Sequence, residues 1–249
     1  MGETRARESS EMSLRIVNWN LEWAPPRRSR GQELRRRIEQ AKPEVVCLTE
    51  SHSDFLPDGH VILADENYGY TCAPTRRKVL LWSRRPWTKV DDLGDSKLPS
   101  GRFIRGTTET SVGSVTFVGV CVPWKDAHVR TGRRDRDAWE DHAAYLEQLP
   151  KILKSLRRNR TVVLGDFNQT IPRTRAPEYL FEMLTKALIG FEVATAGRLK
   201  GAETQAIDHV YYSAGLRTAQ AHALSNKGPS GKRLSDHFGL SVTLANGKT

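Results

Sequence analysis

Cysteine is scarce in this chain. Its three cysteines, Cys47, Cys72 and Cys121, form no CxxC pair, and the first and last lie inside apolar runs. That argues against a disulfide framework, and without clustered Cys and His at short spacing it argues against a structural zinc site. Buried thiols in a reducing compartment are the expectation. Long apolar runs are missing as well: none approaches the roughly 18 residues of a membrane helix, and residues 1–13 lack the apolar segment of a secretory leader. A cytoplasmic protein without a membrane span is therefore expected. Acidic residues are in deficit, 29 Asp and Glu against 39 Lys and Arg, for a net charge of +10. Such a balance points to a polyanionic partner, nucleic acid or a phosphorylated surface.

The apolar content of 38% is modest. The aliphatic runs at Val45–Leu48, Val79–Trp82, Val115–Val122 and Thr161–Leu164 still suffice for one core. The reading is a flexible tail over 1–13 followed by a single domain over 14–245, expected as a monomer. Basic residues cluster near predicted loops: Arg27-Arg28-Ser29-Arg30, Arg35-Arg36-Arg37, Arg76-Arg77-Lys78, Arg84-Arg85, Arg133-Arg134 and Arg157-Arg158. The predicted strand ends, by contrast, are acidic, the pattern of a metal site inside a phosphate-attracting rim.

The stretch Thr161-Val-Val-Leu-Gly-Asp-Phe-Asn168 anchors the chain. Its aliphatic run reads as a strand buried on both faces, and Gly165 permits a sharp turn at its end. The turn presents the carboxylate of Asp166 and the carboxamide of Asn168 two residues apart: a proton acceptor beside an amide donor. Asp and Asn after Gly are also ordinary turn residues. Repetition at other strand ends is what favours chemistry.

Leu14–Asn20 predicts a first strand, closing on Asn20-Leu-Glu22. Leu34, Ile38 and Ala41 at helical spacing predict a helix over Gln32–Ala41, and Glu44–Glu50 a second strand, which would put Glu50 at the same end as Asn20. Tyr68–Ala73, Lys78–Trp82, Phe103–Thr110 and Val115–Val122 read as an antiparallel meander completing a mixed sheet. Pro123 ends the last of these, and Trp124, Lys125, Arg133 and Arg134 follow in a long basic loop of the kind that grips substrates. Helices are predicted over Asp135–Leu156, kinked at Pro150, and over Ala176–Leu188. Two strands, Ala206–Ser213 and Leu216–Leu224, and a flexible basic loop, Gly228–Lys232, precede Asp236-His237 at the start of a final strand.

The collected candidates are Asn20, Glu22, Glu50, Asp166, Asn168, Asp208, Asp236 and His237. Oxygen donors without Cys, and with one His, suit a hard cation, Mg²⁺ or Mn²⁺, which keeps waters and takes a phosphate oxygen. In order, Trp19-Asn20-Leu-Glu22, Pro43–Glu50, Val163-Leu-Gly-Asp-Phe-Asn168, Ile207-Asp208-His209 and Leu234-Ser-Asp-His237 resemble the motifs of the endonuclease/exonuclease/phosphatase superfamily, and the resemblance spans Leu14 to Leu244.

The resemblance implies a four-layered α/β/β/α sandwich, two mixed β-sheets flanked by helices, with the site at one edge. It implies Glu50 as main metal ligand, helped by Asn20, Asp236 or Glu22, and Asp166 as the residue that orients or deprotonates the attacking water. Asn168 would be a donor to the phosphate, and His237 its contact, oriented by Asp208. Trp124, Lys125, Arg133 and Arg134 are the candidate substrate-binding residues. One departure stands out: Cys121 occupies the position where the apurinic-endonuclease branch has a Tyr and the deoxyribonuclease branch a His, and Trp124, Lys125 or His128 could substitute for it.

These readings converge on a divalent-metal-dependent phosphodiesterase acting on nucleic acid, DNA foremost. A hydrolase of a small phosphorylated metabolite or lipid headgroup is the alternative. An inactive binding module would have lost the catalytic residues that this chain retains.

Overall fold

The computed structural model describes residues 12–156 and 160–247. The expected tail over 1–13 falls mostly outside the described residues, as do Arg157 and Arg158. Among the described residues twelve strands form two six-stranded sheets. The first holds β1 (Ser13–Asn20), β2 (Val45–His52), β3 (His60–Leu63), β4 (Arg76–Ser83), β11 (Leu216–Leu224) and β12 (Gly239–Asn246), in the order β11-β12-β1-β2-β4-β3. The second holds β5 (Trp87–Asp91), β6 (Phe103–Thr110), β7 (Gly113–Cys121), β8 (Thr161–Asp166), β9 (Phe191–Val193) and β10 (Asp208–Ser213), in the order β5-β6-β7-β8-β10-β9.

Each sheet contains one parallel pair, β1 with β2 and β7 with β8. Parallel neighbours need a crossover. It is supplied by α1 (Ser29–Gln40) in the first sheet and α2 (Glu140–Leu153) in the second, while α3 (Glu178–Ala187) lies between β8 and β9. Leu34 and Ile38 of α1 pack on Val17, Trp19, Val46 and Leu48, the outer face of the first sheet. Tyr145, Leu146 and Leu149 of α2 and Leu184 of α3 pack with Val118, Val120, Val163 and Tyr211 on the second. Alternate residues of the same strands, Leu14, Ile16, Val45, Cys47, Val79 and Leu81, meet Val115, Phe117, Val162, Leu164 and Val210 between the sheets. This is the expected α/β/β/α sandwich of two mixed sheets.

The predicted meander is corrected in two ways. It divides between the sheets, β3 and β4 joining the first and β5, β6 and β7 the second, because an alternating pattern signals a half-buried strand and is silent on which sheet takes it. Tyr68–Ala73 is not a strand; its aromatic residues imitate one but pack as a wall beside the site. The short strands β3, β5 and β9 carry too few residues to show a period. The helix expected from Asp135 starts only at Glu140, because Trp139 turns left-handed (φ 72°) and its N–H is held by Lys125 O at 2.7 Å. No helix among the described residues is long and apolar enough to cross a membrane.

The sheets are joined near their carboxyl edge by a buried amide. Asn18 Nδ2 donates to Gly165 O at 3.0 Å and to His209 O at 3.4 Å. Gly165 has φ +141°, and a Cβ there would stand 1.8 Å from Val120 O on the paired strand. Gly165→Ala is therefore expected to push β8 from β7 and cost about 3 kcal/mol or more, a drop in Tm of roughly 10 °C for a chain of this size; a melting curve like that of the wild type would show that the strands yield without strain.

Candidate active site

Both parallel pairs end at the same edge, and that edge gathers the acidic strand ends. Asn20 closes β1 and pairs in register with Thr49, which places Glu50 beside it on β2, as expected from the parallel reading. Asp166 closes β8 and stands opposite Cys121 on one side and Asp208, at the start of β10, on the other. His237 arrives two residues before β12.

Hydrogen bonds fix most of these groups. Asp166 is buried; its Oδ2 accepts from Asn20 Nδ2 at 3.1 Å and its Oδ1 from the Asn168 backbone N–H at 2.9 Å. Asn168 takes a left-handed φ of 53° and donates Nδ2 to Val122 O at 2.9 Å. His237 Nδ1 donates to Asp208 Oδ2 at 2.5 Å, and its Nε2 lies 3.8 Å from Asp236 Oδ1. Asp166, Asp208 and His237 each offer a ligand atom within 4.8 Å of the others, and Asp208 Oδ1 is buried without a hydrogen-bond partner. The His237 loop is fastened to β1, since Ser235 Oγ donates to Asn20 O at 2.7 Å and accepts from His237 N at 3.1 Å, while Trp19 Nε1 donates to His237 O at 3.0 Å.

Burial, reinforced by the Asp208 carboxylate, lifts Asp166 to about 7 against the pull of His237. For His237 burial works the other way, but Asp208, by charge and hydrogen bond, outweighs it and raises the imidazole to about 10. His237 is thus a cation at neutral pH. Because its pKa is raised above that of the unfolded chain, its contribution to stability is complete below about 6.5 and is lost as the pH climbs toward 10.

The expected ligands differ in their settings. Glu50 has a left-handed φ of 46° and its Oε1 accepts from Lys78 Nζ at 2.6 Å. Glu22 faces Arg30 at 3.4 Å, and what it brings to the site is its backbone N–H, which orients Asn20 through Oδ1 at 2.9 Å. Asp236 is half exposed beside His237. In the basic loop Trp124 is 44% exposed, and Lys125 and Arg134 are also exposed. Arg133 is instead tied to Asp135 at 3.3 Å and Asp141 at 3.4 Å. His128 is buried against Tyr70, ring centroids 4.4 Å apart, so it does not reach out in place of Cys121.

Several residues emerge that the strand-end reading passed over. Lys78 sits beside Glu50, and buried Arg102 donates Nη1 to Cys121 O at 3.3 Å. The Cys121 thiol is pushed up to about 12 by burial, with Lys78 drawing it back and Asp166 raising it further. Beneath Asn168, Gln169 Nε2 donates to His142 Nε2 at 2.8 Å, and Gln169 O accepts from His209 Nε2 at 2.9 Å. His142 Nδ1 in turn donates to Pro123 O at 2.7 Å. Burial lowers both imidazoles to about 4, so each stays neutral and keeps the tautomer this chain of bonds requires. The chain links the Asn168 turn to the carbonyls that follow β7. A cavity of about 470 Å³ adjoins Asn168, walled by Trp139, Thr170, Thr174, Arg175 and Gln205.

A family model described as the Endonuclease/Exonuclease/phosphatase family matches residues 17–237. No curated protein matches the sequence. Solved structures do share the fold. An endonuclease/exonuclease/phosphatase from Beutenbergia cavernae DSM 12333 is 17% identical at a TM-score of 0.63, covering 95% of this chain and 72% of that one. A 3'-5' exonuclease from Neisseria meningitidis is 16% identical at 0.66, covering 92% and 98%. The human Nocturnin catalytic domain is 15% identical at 0.65, covering 94% of each. With the motifs in order along the chain and their side chains gathered at one sheet edge, this protein belongs to the endonuclease/exonuclease/phosphatase family, whose members hydrolyse phosphoester bonds.

Proposed function

We propose that the chain is a divalent-metal-dependent phosphodiesterase that cleaves nucleic acid, DNA foremost, by in-line attack of water on phosphorus. The observation that carries this reading is the meeting of Asp166, Asn168, Asp208 and His237 at one edge, opposite Asn20 and Glu50. In-line displacement needs an oriented water, neutralised non-bridging oxygens and a steadied leaving oxygen. Asp166 takes the water's proton; both its oxygens are pinned, so its lone pairs have a fixed direction. Asn168 commits one amide proton to Val122 and keeps the other for a phosphate oxygen. His237, charged and held through Nδ1 by Asp208, donates from Nε2.

The donor set fits a hard cation: Glu50 and Asn20 on one lip, Asp236 on the other, and an unpartnered Asp208 Oδ1 in an anionic pocket. Glu50 with Asn20 and Asp236 would hold Mg²⁺ or Mn²⁺, and Glu22 would support them through Asn20 and its bond with Arg30. Such an ion, when bound, draws charge from the phosphate. Trp124, Lys125 and Arg134 at the rim supply stacking and backbone neutralisation, with Arg133 completing the loop.

A second reading, hydrolysis of a small phosphorylated metabolite or lipid headgroup, is favoured by the cavity beside Asn168, which has the volume for one small molecule. Salt separates the two. Affinity for a polymer contacting several phosphates falls steeply with ionic strength, whereas a single phosphoester responds weakly.

The test is hydrolysis of labelled single- and double-stranded DNA, abasic duplex, RNA and small phosphoesters with Mg²⁺, Mn²⁺ or EDTA. EDTA should abolish cleavage of nucleic acid, and Asp166→Asn and His237→Ala should each reduce kcat about 10²-fold or more; cleavage indifferent to EDTA and to both substitutions would refute the assignment. The pH profile of kcat/KM should rise to a plateau with an acid limb at or below about 7, because protonated Asp166 cannot accept a proton and a bound cation draws its pKa down. It should fall near 10 as His237 loses its charge, and in Asp208→Asn that alkaline limb should move to lower pH; an unmoved limb would mean another group titrates there. Gln169→Ala should lower kcat about tenfold, assayed well below its Tm, if the buried chain holds Asn168 in place; a lowered Tm with kcat unchanged would confine Gln169 to a folding role.

A further inference from the structure

Lys78 is a buried cation at this edge that the hydrolytic scheme leaves without a task. It is 7% exposed, and its ammonium lies 2.6 Å from Glu50 Oε1. That is its one hydrogen bond among the described residues. Its remaining surroundings are aromatic: Nζ stands 5.1 Å from the centre of the Trp23 ring, 5.5 Å from Tyr68 and 6.0 Å from Tyr70. Trp23 stacks on Tyr68 at 6.0 Å with 15° between planes, and Arg76 covers Trp23 from beyond at 4.9 Å. The rings hold a cation in place without giving its protons a strong acceptor, since ring faces attract charge but do not replace a carboxylate.

A buried ammonium is costly unless it is paired. Here the pairing partner is Glu50, the carboxylate that the proposed function gives to a divalent ion. Lys78 and such an ion compete for Glu50, and an ion that takes Glu50 leaves Lys78 with unsatisfied protons at the mouth of a site where a phosphate arrives.

We infer that Lys78 is a phosphate-binding residue for this reaction, masked by Glu50 in the resting site and transferred to a non-bridging phosphate oxygen when Glu50 turns to the cation. The inference rests on the phosphoester reading of the site. It differs from a purely structural role for Lys78 in a way binding alone can measure.

The experiment uses the full chain, with wild type, Lys78→Met, Glu50→Gln and the double variant, each confirmed folded by circular dichroism. Inorganic phosphate is titrated by calorimetry in EDTA. Glu50→Gln should bind phosphate about tenfold tighter than wild type, and Lys78→Met should remove that gain in the Glu50→Gln background while changing little in the wild type. This non-additivity is the signature of a masked lysine; additive effects, as from bulk charge, would overturn the inference whether or not any substrate is turned over. With Mn²⁺ as the only ligand, Lys78→Met should bind the ion several-fold tighter, because a competing cation is gone. In turnover of whichever phosphodiester is cleaved, Lys78→Met should raise KM about tenfold, and Lys78→Arg should recover part of it. An unchanged KM, with no loss of phosphate affinity when Lys78→Met is added to Glu50→Gln and only Tm lowered, would reduce Lys78 to a counter-ion for Glu50. If Lys78→Met does not fold, Lys78→Gln serves the same four-way comparison. Absence of turnover on every substrate would count against the phosphodiesterase reading while leaving the phosphate titrations to judge Lys78.

Discussion

The site depends on a buried amide that holds two sheets in one alignment. Asn18 reaches from β1 across the sandwich to the carbonyls of Gly165 and His209, one residue below Asp166 and one beyond Asp208. Its own Oδ1 is buried without a partner, a penalty on the order of 1–3 kcal/mol that an aliphatic residue would avoid. What the amide contributes is registration. Apolar packing between sheets is non-directional and tolerates sliding, whereas two hydrogen bonds from one side chain do not. A slip of a strand would carry Asn20 away from Asp166 and His237 away from Asp208, so the accuracy of the chemistry is set by a group that does no chemistry.

Electrostatics at the edge follow from that alignment. Glu50, Asp166 and Asp208 are brought into one poorly solvated place, which is unfavourable unless positive charge is supplied. The protein supplies two cations of its own, His237 against Asp208 and Lys78 against Glu50, and leaves Asp166 with neutral donors, the Asn20 amide and the Asn168 backbone. The carboxylate proposed to accept a proton is thereby the one whose affinity for protons is raised. Pairing and acceptance are divided among three chemically similar groups by their neighbours alone.

Much of this was legible in the chain. The strand-end motifs located Asn20, Glu50, Asp166, Asn168, Asp208 and His237, because a short apolar run closing on a polar residue marks both the element and its functional end. The helix between β1 and β2 was legible for the same reason, its apolar period being intact. Lys78 and Arg102 were hidden: they sit at strand boundaries among other basic residues, and nothing local distinguishes a buried ammonium from a solvated one. Gln169, His142 and His209 were hidden because a hydrogen-bonded network across three segments leaves no spacing to read. The aromatic stretch Tyr68–Ala73 misled because tyrosines favour strands as well as the rims of polar sites. Cys121 was read as a departure for which Trp124, Lys125 or His128 could substitute, but the side chain bonded to its carbonyl is Arg102, just before β6, and His128 is buried.

The ordering of strands also governs how the sandwich meets other copies of itself. Among the described residues four strands, β3, β5, β9 and β11, lie at the sheet borders. β3 has four residues and β9 three; β5 loses register between Thr88 and Asp91, and β11 between Thr218 and Gln220. Unpaired strand borders are templates for intermolecular pairing when they are long and straight. Among the described residues each border here is either very short or kinked, so a protein with two large sheets and a strongly β-forming core offers little for another chain to extend.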